Sequence, residues 1–185
     1  MADTSDFRNG MIMSIDGQYW VIVEFQHVKP GKGGAFVRTK LKNLITGQVK
    51  EITFRAGERV DEVRVEKRPF QYLYSSGGVY YMMDKSTFDQ IPLDESMVED
   101  VSGYLKENID VEIYLDGDTP LLVELPNFVE LAVASSEPGL RGDTAQGASK
   151  PATLETGLVI QVPLFVEPGD VVRVDTRTGR YVTRV

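Results

Sequence analysis

Lys29 and Lys32 lie in residues 28–35, Val-Lys-Pro-Gly-Lys-Gly-Gly-Ala, where two primary amines are set among three glycines and a proline. Amines on so thin a backbone suit phosphate contact, because a lysine offers a mobile point charge with three donors. Arg38, Lys40, Lys42 and Lys50 follow, and no Asp or Glu occurs between Glu24 and Glu51. A basic tip continued by a basic stripe is the footprint of an arm that meets nucleic acid. A solvated polar strand face ending in a lysine-tipped turn fits the same residues, and spacing does not separate the two.

Bond-making chemistry finds little support. With His27 the single histidine and no cysteine in the chain, triads, thiol catalysis, disulfides and His/Cys metal sites are not expected, and no cofactor or metal is assigned. Asp116 with Asp118, and Asp94 with Glu95, are paired carboxylates of the kind that do acid–base work. They fall at a turn and in a helical first turn, where acids are favoured for local reasons. Gly31-Lys32-Gly33-Gly34 is no phosphate-binding loop of the nucleotide-hydrolase type, since no Ser or Thr follows the lysine. Arg141-Gly142-Asp143 would carry meaning as an adhesion motif only in a secreted protein. Tyr72, Tyr74, Tyr80 and Tyr81 could stack on bases; as core residues and cross-strand pairs they need no ligand. The expectation is a protein with no catalytic residues.

The elements that position the basic tip read as strands. Residues 18–28 are dense in β-branched and aromatic side chains, and residues 35–44 alternate, with Val37, Thr39 and Leu41 on one face and Phe36, Arg38, Lys40 and Lys42 on the other. Pro30-Gly31 suits the centre of a type II turn. Further strands are expected at 11–15, 48–54 and 61–65, giving a five-stranded SH3-like barrel over residues 1–65. Residues 66–126 read as a second unit, with a hairpin about Gly77-Gly78, a helix over 94–107 from Met97, Val101, Tyr104 and Leu105, and strands flanking Asp116-Gly117-Asp118. Residues 127–185 form a third, with strands at 128–134, 157–166, 170–175 and 180–185 and a long polar loop over 138–151. Both later units look like Greek-key barrels of the OB type. The fold class is all-β: three small barrels in series.

Charge is unevenly placed in a chain with 20 Lys or Arg against 28 Asp or Glu. Residues 1–65 hold ten basic and eight acidic side chains, and residues 66–185 hold ten and twenty. A basic end on an acidic body points to nucleic acid met in one orientation. No run approaches the length of a membrane-spanning helix, and no basic-then-apolar leader opens the chain, so a cytoplasmic home with no membrane partner is expected. The residues alone lead to a non-catalytic β protein whose partner is structured RNA.

Several separated motifs carry a resemblance. Asp6-Phe7-Arg8-Asn9-Gly10, the run from His27 to Arg38, Tyr72-Leu73-Tyr74, the run Pro138 to Thr144, Lys150-Pro151-Ala152-Thr153-Leu154-Glu155-Thr156-Gly157 and Val174-Asp175-Thr176-Arg177-Thr178-Gly179 are similar to the bacterial translation elongation factor P family. The resemblance implies an SH3-like (KOW-type) domain and two OB domains in an L shape. It implies a monomer that binds both ribosomal subunits between the peptidyl and exit tRNA sites and relieves stalling at consecutive prolines. It places Lys29, Pro30, Gly31, Lys32, Gly33 and Gly34, backed by Arg38, Lys40 and Lys42, against tRNA or ribosomal RNA. It makes Lys32 the tip residue that a lysine-modifying enzyme extends, and it sets Gly142, Asp143 and Thr144 against messenger RNA in the exit site. The competing reading is a non-ribosomal RNA-binding module, since KOW and OB domains serve there too.

Overall fold

Strand periodicity governs almost everything in the computed structural model, which describes residues 1–138 and 147–185. The first sheet contains β1 (Ala2–Asp3), β2 (Ile12–Ile15), β3 (Gln18–Val28), β4 (Phe36–Asn43), β5 (Val49–Arg55) and β6 (Arg59–Glu62), in the order β1-β6-β2-β3-β4-β5. Along β4, Val37, Thr39, Leu41 and Asn43 are buried while Arg38, Lys40 and Lys42 are exposed. That is the alternation the sequence demands, and it places Val37 and Leu41 in a core with Met13, Trp20, Ile22 and Phe54. Burying an aliphatic side chain of this size contributes about 1.5–3 kcal/mol. The polar face is left outward by the same geometry.

The second sheet contains β7 (Val65–Ser76), β8 (Val79–Asp84), β9 (Gln90–Asp94), β10 (Asp110–Asp116) and β11 (Thr119–Glu124), in the order β11-β10-β7-β8-β9. Phe70, Tyr72, Met82, Leu93, Ile113 and Leu115 are buried in it. Tyr74 and Tyr81 are cross-strand partners with ring centroids 4.7 Å apart. The third sheet contains β12 (Phe128–Ser136), β13 (Ser149–Leu154), β14 (Val159–Pro163), β15 (Val171–Asp175) and β16 (Arg180–Arg184), in the order β14-β13-β12-β15-β16, over an aliphatic core of Leu131, Leu154, Val162, Val172 and Val174. The described chain is all-β, and by contacts it falls into two compact units, Met1–Glu66 with Tyr114–Leu122, and Lys67–Ile113 with Val123–Val185. None of its helices is long and apolar enough to cross a membrane.

Two expectations are corrected. The helix read over 94–107 is instead a single turn, α1 (Glu95–Val98), and a 3₁₀ turn at Ser102–Tyr104. Asp94 makes no side-chain cap there, and Gly103 interrupts the run. A Cβ at Gly103 would meet Leu158 Cδ1 at 3.1 Å, so packing and not helix propensity decides this residue. The polar loop read over 138–151 ends earlier than expected, because β13 begins at Ser149 and carries Lys150 and Pro151 in its ladder. Pro151 pairs with Gln161 of β14, while pairing with β12 begins only at Ala152, which leaves room for a residue without an N–H at the strand's start.

Candidate nucleic-acid interface

The hairpin β3–β4 is the longest-paired feature of the first sheet, in register from Trp20↔Asn43 to Val28↔Phe36. A bulge lies between Ile22 and Glu24, so Val23 is an extra residue and is exposed. Its effect is a change of parity: Trp20 and Ile22 face the core before it, and Phe25 turns inward after it. Phe25 meets Phe7 edge-on at 6.3 Å, which anchors the outer half of the hairpin. On the other side β5 braces it, from Phe36↔Arg55 to Lys42↔Val49, and the Ala56 amide donates to the Ala35 carbonyl at 3.0 Å. The finger therefore has a rigid root.

Beyond Val28↔Phe36 the two arms of the hairpin no longer pair with each other. Lys29, Pro30, Gly31, Lys32, Gly33 and Gly34 are all exposed, with bends at Gly31, Lys32 and Gly33. The expected type II turn at Pro30-Gly31 is not formed, because it needs a positive φ at Gly31 and the positive φ (116°) is at Gly33. A Cβ at Gly31 or Gly34 would touch nothing within 4 Å, so the tip is slender and open. Lys32 thus stands at the end of a bare backbone.

The sequence-predicted residues are brought together as one surface. Arg38, Lys40 and Lys42 run back from the tip along the exposed face of β4. Lys40 lies in register with Glu24 on one side and Glu51 on the other, yet no carboxylate comes within ion-pair distance of Lys29, Lys32, Arg38, Lys40 or Lys42 among the described residues. Lys50 is used differently: its Nζ sits 3.6 Å over the Trp20 ring. His27 is exposed and meets Phe25 edge-on at 5.7 Å. The Tyr19 hydroxyl donates to Asp116 Oδ2 at 3.0 Å, a bond that pushes the phenol's pKa up. Gly142, Asp143 and Thr144 lie outside the described residues. No three His, Asp or Glu side chains converge as a metal site among the described residues. One feature was missed from the sequence: Lys150, read as part of a polar loop, is 7% exposed.

A cationic, glycine-tipped hairpin on an SH3-like sheet, followed by two five-stranded sheets, defines a class of β protein that presents charge on a scaffold. Three family models match in order: the elongation factor P KOW-like domain over residues 3–60, the elongation factor P OB domain over 65–123 and the elongation factor P C-terminal domain over 129–184. Similar curated proteins are the elongation factors P of Carboxydothermus hydrogenoformans, 54% identical over 185 residues, and of Moorella thermoacetica, 55% identical over 184, each alignment covering 100% of both chains. That of Rhodococcus erythropolis is 54% identical over 185 residues, covering 100% of this chain and 99% of its own. The chain belongs to the elongation factor P family of translation elongation factors. Among solved structures, eukaryotic translation initiation factor 5A from Methanococcus jannaschii superposes with a TM-score of 0.51 at 23% identity over 68% of this chain and 92% of its own. A translation initiation factor eif-5a family protein from Naegleria fowleri gives 0.54 at 15% over 67% and 96%. At those identities the likeness is one of fold.

Proposed function

We propose that this chain binds the ribosome beside the peptidyl-tRNA, touching both subunits, and promotes peptide-bond formation at consecutive prolines by steadying the tRNA acceptor end. Residues 1–65, 66–126 and 127–185 act as three modules of a cytoplasmic monomer. The finger from Lys29 to Gly34 enters the cleft, and Arg38, Lys40 and Lys42 hold phosphates of tRNA or ribosomal RNA behind it. Lys32 is the residue that a lysine-modifying enzyme lengthens. Gly142, Asp143 and Thr144 meet the messenger in the exit site.

The observation that carries this reading is a rigid-rooted hairpin whose exposed cations have no carboxylate partner among the described residues. Prolyl substrates react slowly because the ring restricts the backbone and the nitrogen is an awkward nucleophile. A factor without acid, base or metal still helps by holding one reactant in reactive geometry. Positioning has an upper limit of roughly 7–11 kcal/mol, and far less relieves a stall. A point charge on a thin arm suits a narrow, phosphate-lined cleft, and lengthening Lys32 extends its reach.

The test is Lys32→Ala in a reporter containing a proline run, beside a reporter without one. The variant should fold as the parent does and lose the proline-specific benefit; equal synthesis by both proteins would overturn the role. Binding to free RNA distinguishes the competing module. Tight binding that falls steeply with salt would favour a non-ribosomal RNA-binding protein.

A further inference from the structure

We propose that the third sheet carries a second binding site, in which Lys150 and Ser136 take a phosphate of single-stranded RNA and an adjoining apolar groove takes its base. The inference rests on the ribosomal reading above for its biological setting, and its test is independent of it.

Lys150 occupies an inward position. Along β13 the buried residues are Lys150, Ala152 and Leu154, so the lysine points to the same side as two core residues. It is 7% exposed, and among the described residues no carboxylate lies within ion-pair distance of it. Desolvating an ammonium without a partner is costly. Arginines farther across the sheet are exposed and have partners: Arg173 of β15 pairs with Glu130, and Arg184 of β16 with Asp170. Ser136 Oγ is buried and makes no hydrogen bond. The two side chains line one cavity of about 670 Å³. A cation with no carboxylate partner among the described residues and an unused hydroxyl facing one space form a donor pair awaiting an acceptor.

Glu137 and Glu167 line the same cavity and are exposed, and their charge works against a bare anion held by nothing else. The acceptor must therefore bring binding from elsewhere. A groove of about 860 Å³ shares Leu164 and Phe165 with that cavity and continues past Val159 to Arg180 and Tyr181. Phe165 and Val159 are each 58% exposed, an apolar surface with a cation, Arg180, that has no carboxylate partner among the described residues. The groove is bounded by the end of the β12–β13 connection, by β14 and by the start of β16. In a five-stranded OB barrel the second and third strands, with the loops joining strands one–two and four–five, are the oligonucleotide face. β13 and β14 are the second and third strands here. Flat apolar surface with an arginine suits a base, and the lysine–serine pair suits the phosphate beside it.

The experiment is an NMR titration of the intact protein with a uridine trinucleotide of RNA and, separately, with inorganic phosphate. The trinucleotide should shift the signals of Lys150, Val159 and Tyr181 with a Kd of about 1 mM, while phosphate alone binds more weakly. Lys150→Met should raise that Kd about tenfold, the loss of one charge-assisted hydrogen bond. It should leave the melting temperature unchanged or higher, because it removes a cation on a largely buried stem that has no carboxylate partner among the described residues. Ser136→Ala, a smaller change, should weaken binding in the same direction. Unchanged trinucleotide binding in both variants overturns the proposal, as does a melting temperature lowered by Lys150→Met, which would make the lysine structural. Phosphate binding as tight as the trinucleotide overturns the RNA assignment. No ribosome is present, so failure here leaves the finger untouched, and failure of the Lys32 test leaves this titration untouched.

Discussion

The outer face of β4 and the outer face of β12 and β15 carry similar cations and use them in opposite ways. There the arginines are matched: Arg173 of β15 reaches Glu130 of β12 at 2.7 Å, and Arg177, in the turn after β15, reaches Asp175 at 2.7 Å. On β4 and the finger, Lys29, Lys32, Arg38, Lys40 and Lys42 stand without such partners among the described residues, although Lys40 lies between Glu24 and Glu51 in register. A paired cation has already spent its donors on its own chain, whereas an unpaired one keeps them for phosphate. The difference separates charge that braces a sheet from charge that is presented.

The largest break in that comparison comes from exchanging the two kinds of cation. Lys32→Ala should remove the proline-run benefit altogether in the paired-reporter assay while the melting curve stays in place. Arg173→Ala should do the reverse: leave the reporter unchanged and lower stability by about 1 kcal/mol or less, diminishing with added salt, as exposed ion pairs do. A reporter loss from Arg173→Ala equal to that from Lys32→Ala would erase the distinction.

Within β4 the comparison sharpens to adjacent residues. Leu41 is 0% exposed, and Lys40 beside it is on the open face. Leu41→Ala should cost about 2–5 kcal/mol through lost burial and the cavity left behind. Lys40→Ala should stay within about 0.5 kcal/mol. Trp20, the single tryptophan, is buried in the same core as Leu41 and reports both by fluorescence in denaturant. At the tip the same logic is conformational. Gly33→Ala meets a φ of 116°, so it should strain the backbone by about 1–3 kcal/mol and displace the amide signals from Lys29 to Ala35. Gly31→Ala, with open space around it and no such φ, should leave them in place.

How much of this was legible in the sequence follows from which forces act locally. The two faces of β4 could be read because period-two alternation and burial agree residue by residue. The bulge at Val23 could not, since Val-Ile-Val carries no local mark of an extra residue; its need comes from Phe7 packing on Phe25. The turn at Pro30-Gly31 followed a rule of propensity, but seven residues without a partner across the hairpin leave the finger other ways to reverse, and Gly33 takes the positive φ instead. The helix over 94–107 had the right spacing and lost to Gly103 against Leu158, a contact more than 50 residues apart in sequence. Lys150 was hidden because lysine beside proline reads as loop. The only local signal was the alternation of Lys150 with Ala152 and Leu154, which becomes persuasive once their burial is known.

The smallest expected effect tests whether the matched arginines are matched for stability at all. Arg177 donates to both oxygens of Asp175, and this bond is the main reason the carboxyl's pKa falls below its ordinary value of 3.8. Burial pushes the other way, and the Arg177 amide adds a further donor. A carboxyl whose pKa is lower folded than unfolded contributes stability that is present above the unfolded value and lost as pH falls through the folded one. The contribution should therefore fade only below about pH 4. Asp175→Asn should flatten that acid limb of the melting temperature and lower the neutral-pH melting temperature by about the height of the limb it removes, since a neutral side chain stands where the carboxylate met Arg177. The finger cations supply no such limb, because none of them has a carboxylate partner among the described residues. An acid limb that survives Asp175→Asn would move it to the other lowered carboxyls, Asp170 beside Arg184, Glu155 beside Lys106 and the Ala132 amide, and Asp3 capping the Ser5 amide, and would leave the Asp175–Arg177 pair as geometry without consequence.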